Sequence, residues 1–319
     1  MIKYISTSFL AIIILFSSCE KNTTLNLKKG ETQLAVDAYL SNQPGEQIIK
    51  LRLTKGYLDN NEQPPANGAI VSISVPDSII ELYGSMLPPS LSFITKPLVF
   101  IEDGSTGNYK YTLPTGFDTL PIFRTLPYVL TITYHGETFK ATTFKDNVPT
   151  IDSLTYRYRK QQINGTDTLK AGYVVTDMNC VDLKGEGNCY WLKSFRNRTF
   201  FNKPSEINLC YDGAFGSGSD GLNFIAPIAF AITPERLDVG DTLRVECHSI
   251  GVATFYYMSL AQQQMTNTGL FATPPVNVFT NVENINKSSK AKAVGFFTLA
   301  TVSKKEIVIK FSPDKKVTE

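Results

Sequence analysis

Short runs in which apolar and polar residues alternate are the feature that most constrains this fold. Residues 47–54 read QIIKLRLT, residues 128–134 read YVLTITY and residues 242–249 read TLRVECHS. Successive side chains of a strand point to opposite faces, so these runs predict β-strands with one face in a core. His135-Gly136, between two such runs, predicts a hairpin turn. The chain is therefore expected to be mainly β.

The first part of the chain, residues 32–147, contains about seven predicted strands, which imply a Greek-key β-sandwich. Residues 65–73, the turn Gly107-Asn108-Tyr109 and residues 128–132 carry a more specific pattern. They resemble the carboxypeptidase-regulatory or transthyretin-like sandwich, which is immunoglobulin-like in architecture. The resemblance covers about a hundred residues.

The second part, residues 148–319, follows a junction at Val148-Pro149-Thr150, where proline limits backbone pairing. It is predicted to be a second β-rich domain with one amphipathic helix near residues 252–268, ended by Gly269. Helical spacing relates Phe255, Met258 or Ser259, Gln262 and Met265. The predicted apolar stripe of that helix comprises Phe255, Leu260 and Met265 with Tyr256.

The N-terminus predicts export and lipidation. Lys3 precedes the apolar run at residues 9–16, and Ser17-Ser18-Cys19 follows it, as in the cleavage site of a lipoprotein signal peptide. A transmembrane anchor would need roughly 20 apolar residues, and an ordinary secretory peptide leaves Cys19 unexplained. We therefore predict a leader over residues 1–18, lipidation of Cys19, and a polar tether over residues 19–31.

Charge and composition narrow the predicted location and partners. The net charge is +2 and basic residues are scattered, so no nucleic-acid partner is expected. Glu20-Lys21 resembles the charged export signals of surface lipoproteins of Bacteroidota. We expect a protein anchored in the outer membrane by lipid and facing the cell surface.

Four cysteines remain after the lipidation site, and an oxidising compartment would allow them to form disulfides. Four cysteines permit three pairings, and the sequence does not choose among them. The candidates are Cys180, Cys189, Cys210 and Cys247. Their spacing does not match a zinc site, and no metal or cofactor is expected.

The C-terminal part carries a more specific resemblance. Residues 262–264 (QQQ), residues 269–275 (GLFATPP), Asn281 and residues 294–297 (VGFF) occur in this order, after residues 40–43 (LSNQ) near the N-terminus. Together they resemble a family of Bacteroidota lipoproteins called domain of unknown function 4249. The family is typically encoded beside TonB-dependent outer-membrane receptors, so the resemblance implies a receptor barrel as partner. It implies no catalytic residues.

Two groups of residues are candidates for contact with a ligand or partner. Aromatic residues cluster around a loop-rich region, where exposed rings bind sugars, peptides or proteins; the alternative is core packing. The second group lies in the stiff, proline-containing loop after the predicted helix. The alternative is that its apolar side chains fill the core and its prolines only redirect the chain. The candidates are Trp191, Phe200, Phe201, Tyr211, Phe271, Pro274 and Pro275.

Catalysis is not expected. His135 lies at a predicted hairpin tip, and Cys247 and His248 are neighbours in a strand, so their side chains point to opposite faces. Residues 216–219 (GSGS) lack the strand-turn-helix context of a nucleophile elbow. The protein is therefore predicted not to be an enzyme.

Asp followed by Ser or Thr and an aliphatic residue occurs five times, which resembles the O-glycosylation acceptor of exported Bacteroidota proteins. The alternative is that the pattern marks the start of strands, because Asp favours turns and Thr favours strands. The acceptors would be Ser78, Thr119, Ser153, Thr168 and Thr242.

Three functions follow from these patterns. The first is an accessory subunit of a TonB-dependent uptake system, which captures a nutrient or gates the receptor. The second is a separate surface adhesin or structural lipoprotein, suggested by the sandwich. The third, a hydrolase, would need an acid, a base and a nucleophile that converge.

Overall fold

The computed structural model describes residues 30–56, 59, 61–83, 96–113, 117–120, 126–162, 169–185, 187–211, 220–222, 232, 235–267, 276, 278–312 and 316–318. Residues 32–55 and 60–319 make up one compact unit, and residues 1–31 with 56–59 make up another. All the strands and helices described below belong to the first of these units. Cys19 and the predicted leader lie outside the described residues.

The protein is mainly β, as predicted, and its sheets fit a sandwich-like arrangement. The strands of the first sheet are β1 (Leu34–Ser41), β2 (Gln47–Leu53), β3 (Ile70–Ser74), β4 (Leu98–Glu102), β5 (Asn108–Tyr111), β6 (Pro127–Tyr134), β7 (Glu137–Phe144), β14 (Glu283–Asn284) and β15 (Ala293–Ala300). Their order across the sheet is β14-β7-β6-β3-β4-β5-β2-β1-β15.

Two further sheets complete the fold. One joins β10 (Cys189–Arg196), β11 (Thr199–Phe200), β12 (Asn208–Tyr211), β13 (Thr242–Ile250) and β16 (Val302–Val308). The other joins β8 (Ser153–Gln162), β9 (Leu169–Asn179) and β17 (Val317–Thr318).

The bounds of two α-helices lie within the described residues. The predicted helix is confirmed as α2 (Val252–Thr266), and the short helix α1 (Asp77–Tyr83) was not predicted. The predicted hairpin at residues 135–136 is confirmed, because β6 and β7 pair antiparallel on either side of it.

Alternation builds the core of the first sheet. In β1 the side chains of Val36, Ala38 and Leu40 are buried, while those between them are more exposed. The same pattern in β2, β3, β6 and β7 brings the other apolar side chains into one cluster. This apolar interior is here called the first core.

A parallel strand from the far end of the chain completes the first sheet. β15 pairs with β1 along its whole length, from Leu34 opposite Ala293 to Ser41 opposite Ala300. Gly295 permits the close approach: its φ is +115°, and a Cβ there would lie 1.9 Å from the carbonyl oxygen of Val36. The predicted boundary between residues 147 and 148 stays a prediction, but the first sheet crosses it.

Candidate functional site

β10 and β13 pair antiparallel and give the second sheet two different faces. One face carries Tyr190, Leu192, Val245 and Cys247 into a second apolar core with residues of β8 and β9. The residues between these point to the other face of the sheet, where three side chains of β10 pair across the strands with three of β13. Trp191, Lys193 and Phe195 on β10 lie opposite His248, Glu246 and Arg244 on β13.

Tyr39 of β1 covers part of this second face and begins a chain of hydrogen bonds. The Tyr39 hydroxyl bonds to Nδ1 of His248, and Nε2 of His248 lies 3.0 Å from Oε2 of Glu246. A neutral imidazole fits both contacts if Nε2–H donates to the carboxylate and Nδ1 accepts from the hydroxyl. Burial lowers the pKa of His248 to about 4, against the opposite effect of the Glu246 bond.

Two cations flank Glu246. The Arg244 Nε lies 2.9 Å from Oε1 of Glu246, and its guanidinium stacks 4.1 Å from the Phe195 ring centroid. Burial raises the pKa of Glu246, but the His248 bond and the nearby charges of Arg244 and Lys193 outweigh it, so the net shift is downward. Tyr39, Lys193, Arg244, Glu246 and His248 are here called the ionisable cluster.

Lys193 is held among aromatic rings. Its Nζ lies 3.8 Å from the centroid of Trp191 and 4.4 Å from that of Tyr39. Burial lowers the pKa of this ammonium to about 8, since the rings replace water without supplying a full counter-charge. Lys193 therefore occupies one face of the Trp191 ring.

The predicted aromatic contacts are only partly brought together. Trp191 and Phe200 are neighbours, with ring centroids 6.4 Å apart, whereas Tyr211 packs at 5.5 Å against Phe255 of α2. Phe201 is half-buried, and its backbone N–H donates to the Ser194 carbonyl. These contacts favour the packing alternative over an open platform for Trp191 and Tyr211. Phe271, Pro274 and Pro275 lie outside the described residues.

Sequence reasoning missed the ionisable cluster. It considered His248 only with Cys247, and the structure confirms that these two side chains lie on opposite faces: Cys247 is in the second core and His248 bonds to Tyr39. A usable signal was present, because Arg244, Glu246 and His248 occupy every second position of one strand. The contribution of Tyr39 had no such signal, since it lies 209 residues away.

The four candidate disulfide cysteines are all described, and each is a buried thiol. Burial raises the pKa of Cys180 and of Cys210 to about 12, and it raises the pKa of Cys247 as well. Thiols of this kind are poor nucleophiles at neutral pH. All four are free thiols in this structure, and disulfide formation among them stays a prediction.

The candidate glycosylation sites have mixed settings. Ser153 and Thr242 are the first residues of β8 and β13, as the strand-start alternative expects. Ser78 is exposed in α1, and Thr119 is half-buried outside any strand. Thr168 lies outside the described residues. Modification of these positions stays a prediction.

The face that α2 buries differs from the predicted stripe. Thr254 and Met258 are the buried residues of α2, and the amide of Gln262 donates to the carbonyls of Pro204 and Ile207 at 2.9 and 2.7 Å. Two residues of the predicted stripe, Tyr256 and Met265, are instead 53% and 50% exposed. The prediction was wrong for Tyr256 and Met265, whereas Phe255 packs against Tyr211, and Met258 and Gln262 lie on the packed side.

A groove lies along the outer side of α2. It has a volume of about 560 Å³ and is here called the α2 groove. The residues that line it within the described part of the chain are Tyr256, Ser259, Leu260, Gln263 and Phe279. Phe279 is 64% exposed and forms the side of the groove away from the helix. An exposed apolar surface of this kind is typical of an interaction site.

Two further properties concern the described residues alone. Among them, no group of His, Cys, Asp and Glu side chains is arranged to hold a metal ion. No helix in the same ranges is long and apolar enough to cross a bilayer.

The family model described as Domain of unknown function (DUF4249) matches residues 20–306, and the chain belongs to this family. No curated protein matches the chain.

Proposed function

From its membership of this family, we propose that the protein is an outer-membrane lipoprotein and an accessory subunit of a TonB-dependent uptake system. It captures a ligand for the receptor barrel, or it gates the barrel. The observation that carries the proposal is the start of the family region at residue 20, directly after Cys19. The family region, residues 20–306, thus lies in the chain that remains after the predicted cleavage. It begins one residue after Cys19, which would carry the lipid.

The length of the tether supports a place beside a membrane protein. Residues 20–33 separate Cys19 from the first strand, which begins at Leu34. Even fully extended, this chain spans at most about 50 Å. A lipid on Cys19 would therefore keep the sheets within reach of the parts of a barrel that project from the bilayer.

The arrangement of the chemically active side chains supports binding rather than catalysis. His248 is hydrogen-bonded to Glu246, Arg244 is ion-paired with Glu246, and Cys247 points into the opposite core. The α2 groove, by contrast, is open and mainly apolar. Open apolar surfaces with aromatic residues are the usual centres of protein interfaces.

The test is lipid labelling and co-isolation in a native host. With a labelled fatty acid, the wild-type protein is expected to be labelled, to fractionate with the outer membrane and to co-isolate with a receptor barrel in mild detergent. Cys19→Ala should be unlabelled and released, whereas Ser18→Ala keeps a small residue before Cys19 and should behave as wild type.

Two results would overturn the proposal. An unlabelled wild-type protein that keeps its leader would remove the anchor. A labelled protein isolated without a barrel, yet bound to host matrix or glycans, would replace the accessory role with that of an adhesin.

A further inference from the structure

Three of the four buried thiols converge in one apolar core. Cys180, Cys210 and Cys247 belong to the second core. Cys189 belongs to a separate cluster, on the other face of the second sheet. It lies one position before Tyr190, whose side chain enters the second core, and neighbouring side chains of a strand point to opposite faces. A disulfide between Cys189 and any of the other three thiols would therefore have to pass through the sheet.

The strand order keeps two of the three converging thiols apart. β12 carries Cys210 and β13 carries Cys247, and both strands pair with residues 189–192 of β10. They therefore lie on opposite edges of β10. Because neighbouring strands are about 4.8 Å apart, the two Cα atoms are separated by more than about 9 Å. A disulfide needs Cα atoms within about 7 Å of each other, so any disulfide among the described cysteines must include Cys180.

Hydrogen bonds place Cys180 beside Cys247. Ser303 of β16 lies directly opposite Cys247, and its Oγ accepts from the N–H of Ile151 at 3.1 Å. The next N–H along the chain donates at 2.9 Å to the carbonyl oxygen of the residue before Cys180. Burial raises the pKa of Cys247, and the neighbouring Cys180 is the next largest cause, ahead of Cys210. The closer partner of Cys180 is therefore Cys247.

We propose that Cys180 and Cys247 form the one disulfide among the described cysteines, and that it ties the end of β9 to the middle of β13. The free thiols described above are its reduced state. This inference rests on the proposed function in one respect: export would bring the chain into a compartment in which thiols are oxidised.

The bond forms by two thiol–disulfide exchanges. The thiolate of one cysteine attacks the disulfide of an oxidised thiol oxidoreductase, and the second thiolate then attacks the mixed disulfide. One S–S bond forms in the protein and one breaks in the oxidant, which takes up two electrons and two protons and leaves as a dithiol. Burial raises the pKa of Cys180 to about 12 and raises that of Cys247, so thiolates are scarce once the core has closed. The exchange therefore takes place during folding, and the finished bond is shielded from reductants.

The test identifies the free thiols of the lipidated protein, purified from a native host without reductant. When it is denatured in an alkylating reagent, the wild-type protein should be labelled on Cys189 and Cys210 only. A digest without reductant should contain the peptide of Cys180 linked to that of Cys247. The folded protein should keep this link in reductant, and the denatured protein should lose it.

Matched alanine variants test the pairing. Cys180→Ala should make Cys247 available for labelling, whereas Cys189→Ala and Cys210→Ala should leave the link intact. In the exported protein, labelling of all four thiols would overturn the inference. A link between Cys180 and Cys210, or any link that includes Cys189, would overturn it as well.

The outcomes separate this inference from the proposed function. If the protein is lipidated and co-isolates with a barrel but all four thiols are labelled, the receptor role stands and the disulfide fails. If the link is present in a protein that isolates without a barrel, the disulfide stands and the receptor role fails. If the protein keeps its leader in the cytosol, refolding of the reduced chain in oxidised and reduced glutathione decides the disulfide by the same peptide analysis.

Discussion

The first core and the ionisable cluster are both buried between strands, but they use burial differently. In the first core, alternating aliphatic and aromatic side chains bury apolar surface, which contributes directly to stability. In the ionisable cluster, a His, a Glu, a Tyr and a Lys lose water, and their hydrogen bonds and ring contacts offset only part of that cost. The first core therefore raises the free energy of unfolding, whereas the ionisable cluster lowers it.

The largest effect is expected where the first core is closed by β15. Gly295→Ala would place a Cβ 1.9 Å from the Val36 carbonyl oxygen at a φ of +115°, so β1 and β15 would have to separate. We expect a loss of more than about 4 kcal/mol in the free energy of unfolding, or failure to fold. Gly45→Ala is the control: its φ is +118° but nothing lies within 4 Å of the added Cβ. Urea unfolding should show a loss of only about 1–3 kcal/mol there.

Two isoleucines of β3 test whether the first core depends on burial alone. Ile73 is 1% exposed and Ile70 is 68% exposed, although both lie in one five-residue strand. Ile73→Ala should lower the free energy of unfolding by between about 2 and 5 kcal/mol, because it removes buried methyl groups and leaves a cavity. Ile70→Ala should change it by less than about 0.5 kcal/mol. Similar losses for the two variants in chemical denaturation would contradict this account of the core.

The ionisable cluster should respond to acid where the first core does not. The folded pKa of His248 is about 4, below the ordinary 6.5, so the unfolded chain binds more protons between these two values. The contribution of His248 to the free energy of unfolding is fully present above pH 6.5, declines as the pH falls, and is lost below about pH 4. The total is on the order of 3 kcal/mol.

The measurement is the free energy of unfolding at several pH values between 4 and 7. His248→Gln should flatten this dependence, because it removes the group that titrates, while Tyr39, Glu246 and Lys193 remain around it. An unchanged slope in His248→Gln would show that another group carries the acid sensitivity.

The smallest effect is expected when the buried charge of Lys193 is removed from the ionisable cluster. Lys193→Met keeps a long side chain between the rings of Trp191 and Tyr39 but removes the buried charge. We expect the free energy of unfolding at pH 7 to rise by about 1 kcal/mol, since the desolvation of the ammonium is no longer opposed to folding. A comparable loss of stability in thermal or urea unfolding would mean that the cation–ring contacts outweigh that cost.

Local patterns predicted much of the fold. The alternating runs at residues 47–54 and 128–134 became β2 and β6, and the helix near 252–268 became α2 within two residues. The turn at Gly107 requires glycine, because a Cβ there would lie 2.4 Å from the Leu51 carbonyl oxygen, at a φ of +64°. α1 was missed because its seven residues show too little periodicity to be recognised.

The candidate site was less predictable. Trp191 and Phe200 were named, but Lys193, which occupies the ring face of Trp191, was not. Tyr256 and Met265 were assigned to the core because both are apolar, but both are about half exposed. The packed side is held by Thr254, Met258 and hydrogen bonds from Gln262. Hydropathy does not reveal which side of a mixed helix finds partners for its polar atoms.

The sequence by itself determined the β class, the positions of most strands and hairpins, and the expectation of an exported, lipid-bearing chain, because each depends on residues close together along the chain. Only the tertiary structure decided that β1 pairs with β15, that Tyr39 meets His248, and which side of α2 remains open. These depend on contacts between segments up to about 260 residues apart. Their geometry is set by the joint packing of all the sheets rather than by any local pattern.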